Sequence, residues 1–503
     1  MEYKVIEQKS IKVAIVGAGL AGSECAWILA DKYNIQVTLF EMKTISPTPA
    51  QVSKELFSEL VCSNSLKSKS RLNPAGILKH EMLKLGSLML PIAYESEVPA
   101  GETLAVERLK FSGMITDKLK SHQNIKVIPL VVEQICQIFE CDNFDAVVLA
   151  TGPLTGQGLS EDLIKLTNTK DLYFYDAIAP IIDGETIDYN VAFKANRKTK
   201  TRAYELKNKT LEQQQEAEEE EGDYLNLPLN KEEYFEFVKK VQDGAKVPHH
   251  AFEEPRYFNG CQPIEVLAER GDRTLSFGPM KARGLDDPRT GRWPYAVVQL
   301  RKENLGDTAW SMVGFQTRLT WTAQKEIFKT LPGLQSAEFF RMGSMHRNTY
   351  LVSPNILNEN FSLKSDPRLY LAGQIMGVEG YLESAAMGCY IAHVIGQKFV
   401  FGKDLTPPPP NTSLGALCLY CLQGDPKYFS PMNIHWGLFS DLSSEDLQKY
   451  STNIEADLKK RKLEKSLRRD YMASRAEDLY DDWVSSHLHK EFGHVYDSDN
   501  QRS

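Results

Sequence analysis

The stretch Lys12-Val-Ala-Ile-Val-Gly17-Ala-Gly19-Leu-Ala-Gly22 constrains this chain more than any other. Four β-prone residues, Val13 to Val16, run straight into Gly17-x-Gly19-x-x-Gly22. A helix-forming segment over 23–32 follows, and then Gln36-Val-Thr-Leu-Phe-Glu41 reads as a second strand. Strand, glycine turn, helix and strand in that order, with an acid about twenty positions beyond the turn, is the pattern a dinucleotide needs. Gly17 permits the tight turn, Gly19 lets a diphosphate approach the backbone, and Gly22 lets the helix pack on the strand. The diphosphate then lies at a helix N-terminus, where unpaired N–H groups and the dipole favour negative charge. Ala18, Leu20 and Ala21 complete the turn. Glu41, followed by Met42, is placed to accept from a ribose hydroxyl.

At 503 residues the chain is long enough for two or three domains. No apolar run approaches the roughly eighteen residues of a membrane span. The first residues lack the basic and apolar regions of a secretion signal, so the expected location is cytoplasmic. Eight cysteines without such a signal point to free thiols. Cys418-Leu-Tyr-Cys421 has redox or zinc spacing, but no second pair or nearby histidines complete a four-ligand site. It reads as a helix with two buried cysteines, and no metal site is expected. The net charge of −8 is carried largely by residues 212–223, which hold seven acids and no base. Such a block reads as a solvated loop, and the remainder is close enough to neutral for local basic patches.

Phe144-Asp-Ala-Val-Val-Leu-Ala-Thr-Gly152 reads as a short strand returning to the first sheet, and Leu369-Tyr-Leu-Ala-Gly373-Gln374 as another far downstream. Gly380 and Tyr381 open the helical segment after it. Both pieces resemble the returning strands of two-dinucleotide-fold flavoproteins, and that resemblance implies a discontinuous FAD-binding domain, 1–181 and 342–440. An inserted domain then spans 182–341, and a charged, helix-prone extension spans 441–503, either docked or partly disordered. Within the insert, 274–277, 295–300 and 310–315 alternate like strands. The expected fold class is α/β, a Rossmann-like FAD domain carrying an inserted α+β domain.

The chemistry is sought in two cysteines. Cys62 lies in Glu59-Leu-Val-Cys-Ser-Asn-Ser, and Cys261 in Asn259-Gly-Cys-Gln-Pro. Short segments rich in Ser, Asn and Gly favour exposed loops. The two thiols face each other only if the insert folds over the cofactor. Arg283, Arg289, Arg292 and Arg301, interleaved with Trp293 and Tyr295, suit RNA equally with a plain exposed hairpin, since cations contact phosphates and aromatics stack on bases.

Together with Val98-Pro-Ala-Gly-Glu-Thr-Leu-Ala-Val-Glu-Arg108, Met345-His-Arg-Asn-Thr-Tyr350 and Gly377-Val-Glu-Gly-Tyr381, these motifs closely resemble the TrmFO family. These are folate- and FAD-dependent tRNA (uracil-54-C5)-methyltransferases, short relatives of the GidA/MnmG flavoproteins. The resemblance spans about 12–398; the acidic insertion and the segment past 441 depart from it. It implies methylation of uridine 54 in the tRNA T-loop, with 5,10-methylenetetrahydrofolate as carbon donor. It also implies reduced FAD as electron source and methylene carrier, regenerated by NADH or NADPH. Gly152, Gly373, Gln374, Gly380 and Tyr381 would join Gly17 to Gly22, Glu41 and Met42 around FAD. Gln374 replaces the aspartate usual at its position. Uracil C5 becomes nucleophilic only once a thiolate adds at C6, and a second group must then remove the C5 proton. Cys261 is assigned the first role and Cys62 the second, or else the stabilising of the flavin adduct, with the reverse assignment open. Arg283, Arg289, Arg292 and Arg301 would hold the RNA. Two other substrates remain open, a 23S rRNA uridine for the same chemistry or a small molecule for an FAD/NAD(P)H oxidoreductase. A non-catalytic RNA-binding flavoprotein is the third class.

Overall fold

The computed structural model describes residues 10–48, 51, 53–169, 172–197, 222–247, 262–451 and 463–488. Most of the acidic block, 212–221, lies outside the described residues.

Lys12–Val16 is the central strand of a five-stranded parallel sheet. It pairs with Gln36–Glu41 on one side and Ala146–Leu149 on the other. Ile125–Pro129 adds to the first neighbour and Leu369–Leu371 to the second. Val13 to Ile15 and Ala146 to Leu149 are fully buried with no alternation. That is how a parallel strand covered on both faces reads. Leu369–Leu371 enters this sheet from the far end of the chain, and the helix after it, Tyr381–Phe401, lies against the first helix, Leu20–Asp31. The two approach so closely that a Cβ on Gly388 would strike the Ala21 carbonyl.

The intervening chain builds a six-stranded antiparallel sheet. Its order is Phe193–Lys194, Tyr224–Leu229, Ala296–Lys302, Ala309–Met312, Ile181–Asp183, Phe339–Arg341. The strand that enters this unit and the strand that leaves it are paired neighbours, so the chain departs and returns at one place. Helix Lys231–Asp243 begins with a capping box between Asn230 and Glu233. It buries Tyr234, Phe237, Val238 and Val241 in a core of its own beneath the sheet, with Phe315 and Phe328. An antiparallel ribbon, Leu172–Ile178 against Ser344–Tyr350, joins the two units. The fold is α/β, a Rossmann-like parallel sheet with a mixed α and antiparallel-β unit set into it.

One expected strand is a helix. Thr274–Phe277 forms a single helical turn, with bonds from Thr274 to Gly271 and Ser276 to Arg273. Four residues that alternate apolar and polar fit one helical turn as well as a strand. Here only Leu275 turns inward, while Phe277 stays 79% exposed. Cys418 and Cys421 lie buried in helix Ser413–Gln423, where burial pushes the Cys421 thiol up to about 12. In the C-terminal extension, Lys465–His487 is a docked helix beside Pro74–Lys84. It buries Tyr471, Met472, Tyr480 and Trp483, and the Trp483 indole donates to the Thr406 carbonyl at 2.9 Å. Among the described residues no helix is long and apolar enough to cross a membrane.

Candidate active site

A cleft opens at the carboxyl ends of the parallel strands, where open α/β sheets bind their ligands. Its floor is the turn over residues 16–21. Glu41, Met42 and Lys43 form one wall, residues 150–156 another, and 372–374 with Tyr381 the far end. Gly17 adopts φ +101°, and a Cβ there would lie 2.6 Å from the Ala150 carbonyl oxygen. A Cβ on Gly22 would collide with the Gly17 carbonyl, so that residue sits behind the cleft and sets how closely helix meets strand. Gly19 differs from both. Nothing lies within 4 Å of its Cβ position, and helix Leu20–Asp31 starts beside it with no side-chain cap. The space in front of Gly19 and an uncapped helix end suit a diphosphate.

The Glu41 carboxylate accepts from the Ala18 amide at 2.7 Å and the Lys43 amide at 2.8 Å, which fixes it at the rim. Gly152 and Gly373 line the cleft. Gly380 caps helix Tyr381–Phe401, immediately before Tyr381. Gln374 lines the cleft too, and its amide donates to Glu379 at 2.6 Å. The open cradle at Gly19, the anchored acid and the lining contributed by residues 150–156 and 372–374 fit FAD.

Cys62 is half-buried on the segment that borders this cleft through Ser58, Glu59 and Val61. The segment has no ladder partners at 60–62, and side chains remote in sequence hold its backbone. Arg108 donates to the Leu60 carbonyl at 2.7 Å and Arg341 to the Val61 carbonyl at 2.7 Å. The Cys62 amide donates to the Tyr381 hydroxyl at 2.5 Å. Burial, with the neighbouring Cys62, lifts the Tyr381 hydroxyl far above its usual range, so it stays protonated. Burial alone would lower the Arg108 guanidinium. Glu303, bound through two bonds of 2.7 and 3.1 Å, more than offsets that and holds the charge in place. Cys261 lies outside the described residues.

Arg283, Arg289 and Arg292 are exposed on the loop before strand Ala296–Lys302, next to Trp293, which is 56% exposed. Arg289 is bound to Asp287 at 3.0 and 2.8 Å. Arg301 is set apart from them. It is half-buried, and its Nε donates to Asn64 Oδ1 at 2.9 Å, two residues beyond Cys62.

The chain matches the family of glucose inhibited division protein A, GIDA, over residues 12–216 and 206–400. A Myxococcus xanthus protein named methylenetetrahydrofolate--tRNA-(uracil-5-)-methyltransferase TrmFO is 47% identical over 89% of this chain and 94% of its own length. The protein of that name from Geobacter sulfurreducens is 43% identical over 94% of this chain and 99% of its own. The chain belongs to the TrmFO family. Aquifex aeolicus GidA, in its form II crystal, superposes with a TM-score of 0.61 at 15% identity, covering 94% of this chain and 73% of that one. That likeness is one of fold.

Several residues at the TrmFO-type site escaped the reading of the sequence. Arg108 ends one motif of the family resemblance yet drew no role, and Arg341 lies four residues before another, in a segment read only as lining for a cofactor or folate pocket. Glu303 and Asn64 drew none either. The partners are 48, 280 and 319 residues from the positions they hold, a separation that no local pattern reports.

Proposed function

We infer that this protein is a folate-dependent tRNA methyltransferase that methylates C5 of uracil 54 in the T-loop. The observation that carries the inference is 47% identity, over nearly the whole of both chains, to a relative named for that reaction. The cleft and the Cys62 segment support it independently. When bound, FAD would supply reducing electrons and the means of carrying the methylene, with methylenetetrahydrofolate as carbon donor. NADH or NADPH is the proposed reductant, and the cytoplasm the proposed location.

The residues divide as follows. Gly19 and the end of helix Leu20–Asp31 receive the diphosphate, and Glu41 receives the ribose. Gly152, Gly373, Gln374 and Tyr381 border the rest of the cofactor. Cys261 adds to uracil C6 and Cys62 removes the proton from C5, so that the adduct can collapse by elimination. A base folded into the T-loop must leave its stack to reach them, at a cost of a few kcal/mol. Arg283, Arg289 and Arg292 hold RNA phosphates beside the Trp293 face. On the same reading, 1–181 with 342–440 is the FAD-binding domain, 182–341 the inserted domain, and 441–503 an extension.

The test is mass spectrometry of T-loop nucleosides after incubation with unmodified tRNA, methylenetetrahydrofolate and reductant. 5-Methyluridine at position 54 is the expected product, with 23S rRNA fragments unchanged. Cys261→Ala is expected to abolish it while the protein stays yellow; full activity in that variant would end the assignment of the nucleophile.

A further inference from the structure

We propose that the inserted antiparallel-sheet unit positions the Cys62 thiol, with Arg341, Arg301 and the Arg108–Glu303 pair as its positioning residues. The proposal rests on the reading that Cys62 takes part in the chemistry.

Residues 60–64 belong to the parallel-sheet unit, but three of their tethers reach the other one. Arg341 ends the last strand of the antiparallel sheet, Phe339–Arg341, and holds the Val61 carbonyl. Arg301, on strand Ala296–Lys302, donates to Asn64 Oδ1. The Asn64 amide in turn donates to the Lys302 carbonyl at 2.8 Å, and Asn64 is fully buried. Arg108 holds the Leu60 carbonyl while its other donors are bound to Glu303, immediately past that same strand. Other tethers stay within the parallel-sheet unit: the Cys62 and Ser63 amides donate to the Tyr381 hydroxyl at the edge of the cleft, and Asn64 exchanges two bonds with the Val106 main chain. Cys62 is therefore flanked on both sides by carbonyls or side chains bound to the antiparallel unit, and fixed at its own amide to the cleft. Both Arg108 and Arg341 are also near enough to interact electrostatically with Cys62 and Tyr381.

Three guanidiniums on neutral acceptors in a half-buried seam make short, directional bonds, and a planar fork loses less freedom per bond than a lysine. A segment without ladder partners owes its geometry to such contacts. If the inserted unit shifts on its seat, the sulfur shifts with it. The unit that carries the exposed arginine loop is thus also the one that sets the reach of a thiol on the other unit. This offers a route by which RNA engagement is felt at Cys62.

The experiment uses the FAD-loaded protein and the variants Arg341→Met and Arg341→Lys. Hydrogen exchange in peptides spanning 60–64 is expected to quicken about fivefold or more in Arg341→Met, with peptides from Lys12–Val16 unchanged. Methyl transfer should lose about tenfold or more in kcat with KM for tRNA within about twofold, and Arg341→Lys should recover most of it. Unchanged exchange at 60–64 overturns the proposal. So does a rise in KM matching the fall in kcat, which would make Arg341 a tRNA contact. Should Arg341→Met fail to fold, Arg301→Met, which reaches the segment only through Asn64, carries the same two readouts. Cys62→Ala with undiminished turnover would overturn the reading beneath the proposal. Exchange does not depend on turnover, so that failure is distinguishable from failure of the clamp.

Discussion

Two glycines three residues apart illustrate how differently one atom counts at this site. Gly19 has φ −73° and ψ −173°, backbone that any residue adopts, and open space where its side chain would point. Gly19→Val should therefore fold with the thermal stability of wild-type protein stripped of FAD, yet purify colourless, because the isopropyl group fills the place of the diphosphate. Normal flavin content would refute the assignment of the cleft. Gly22 faces backbone instead of space, so Gly22→Ala forces the helix off its strand. It should lose about 2 kcal/mol or more, seen in urea unfolding. Both roles were legible in the sequence, since turn, cradle and close approach are all local to six residues. The tethers on Cys62 were not. A carbonyl held by an arginine 280 positions away leaves no trace in spacing, and nothing in the sequence around Arg301 announces its bond to Asn64.

At the scale of elements, most strands and helices of the parallel unit follow from their sequences. Fully buried strands and long helices carry strong apolar signals, whereas four alternating residues at 274–277 do not. What the sequence does not announce is how remote helices lock together. Helix Ser413–Gln423 begins against helix Pro74–Lys84, where the Glu81 carboxyl accepts from the Ser413 and Leu414 amides at 2.8 and 2.7 Å. Burial raises that carboxyl to about 8, against those two bonds, which lower it. The group therefore keeps its proton in the fold up to about pH 8 but loses it near its ordinary value of 4.5 when unfolded. Unfolding releases a proton across that window, so this group makes stability fall as pH climbs through it, by about 1.4 kcal/mol per unit. Urea midpoints at pH 5.5 and 7.5 should show a smaller difference for Glu81→Gln than for the wild type. An equal difference would mean the carboxyl is ionised throughout. The helix Lys465–His487 belongs to the same assembly, and Trp483→Ala should lose about 3–5 kcal/mol, because it removes a buried indole packed on Tyr480 and His487 and its bond to Thr406.

At the scale of the whole molecule, the two units meet through polar contacts that bear on the site itself. Arg108 and Glu303 are 16% and 7% exposed and bound through two bonds. Removing one partner from a buried pair leaves an uncompensated charge and costs about 3–5 kcal/mol, whereas replacing both with apolar groups is often near neutral. Arg108→Met should accordingly be strongly destabilised, and Arg108→Met/Glu303→Met should recover most of the loss. Activity should separate from stability in the double variant. The seam is again closed, but the Leu60 carbonyl has lost its donor, so methyl transfer should remain well below wild type while urea unfolding looks nearly normal. If turnover recovered along with stability, the pair would be only a fastener between two sheets. If stability recovered and turnover did not, the seam and the thiol are one mechanical system, and the contacts that join the units also determine where Cys62 points.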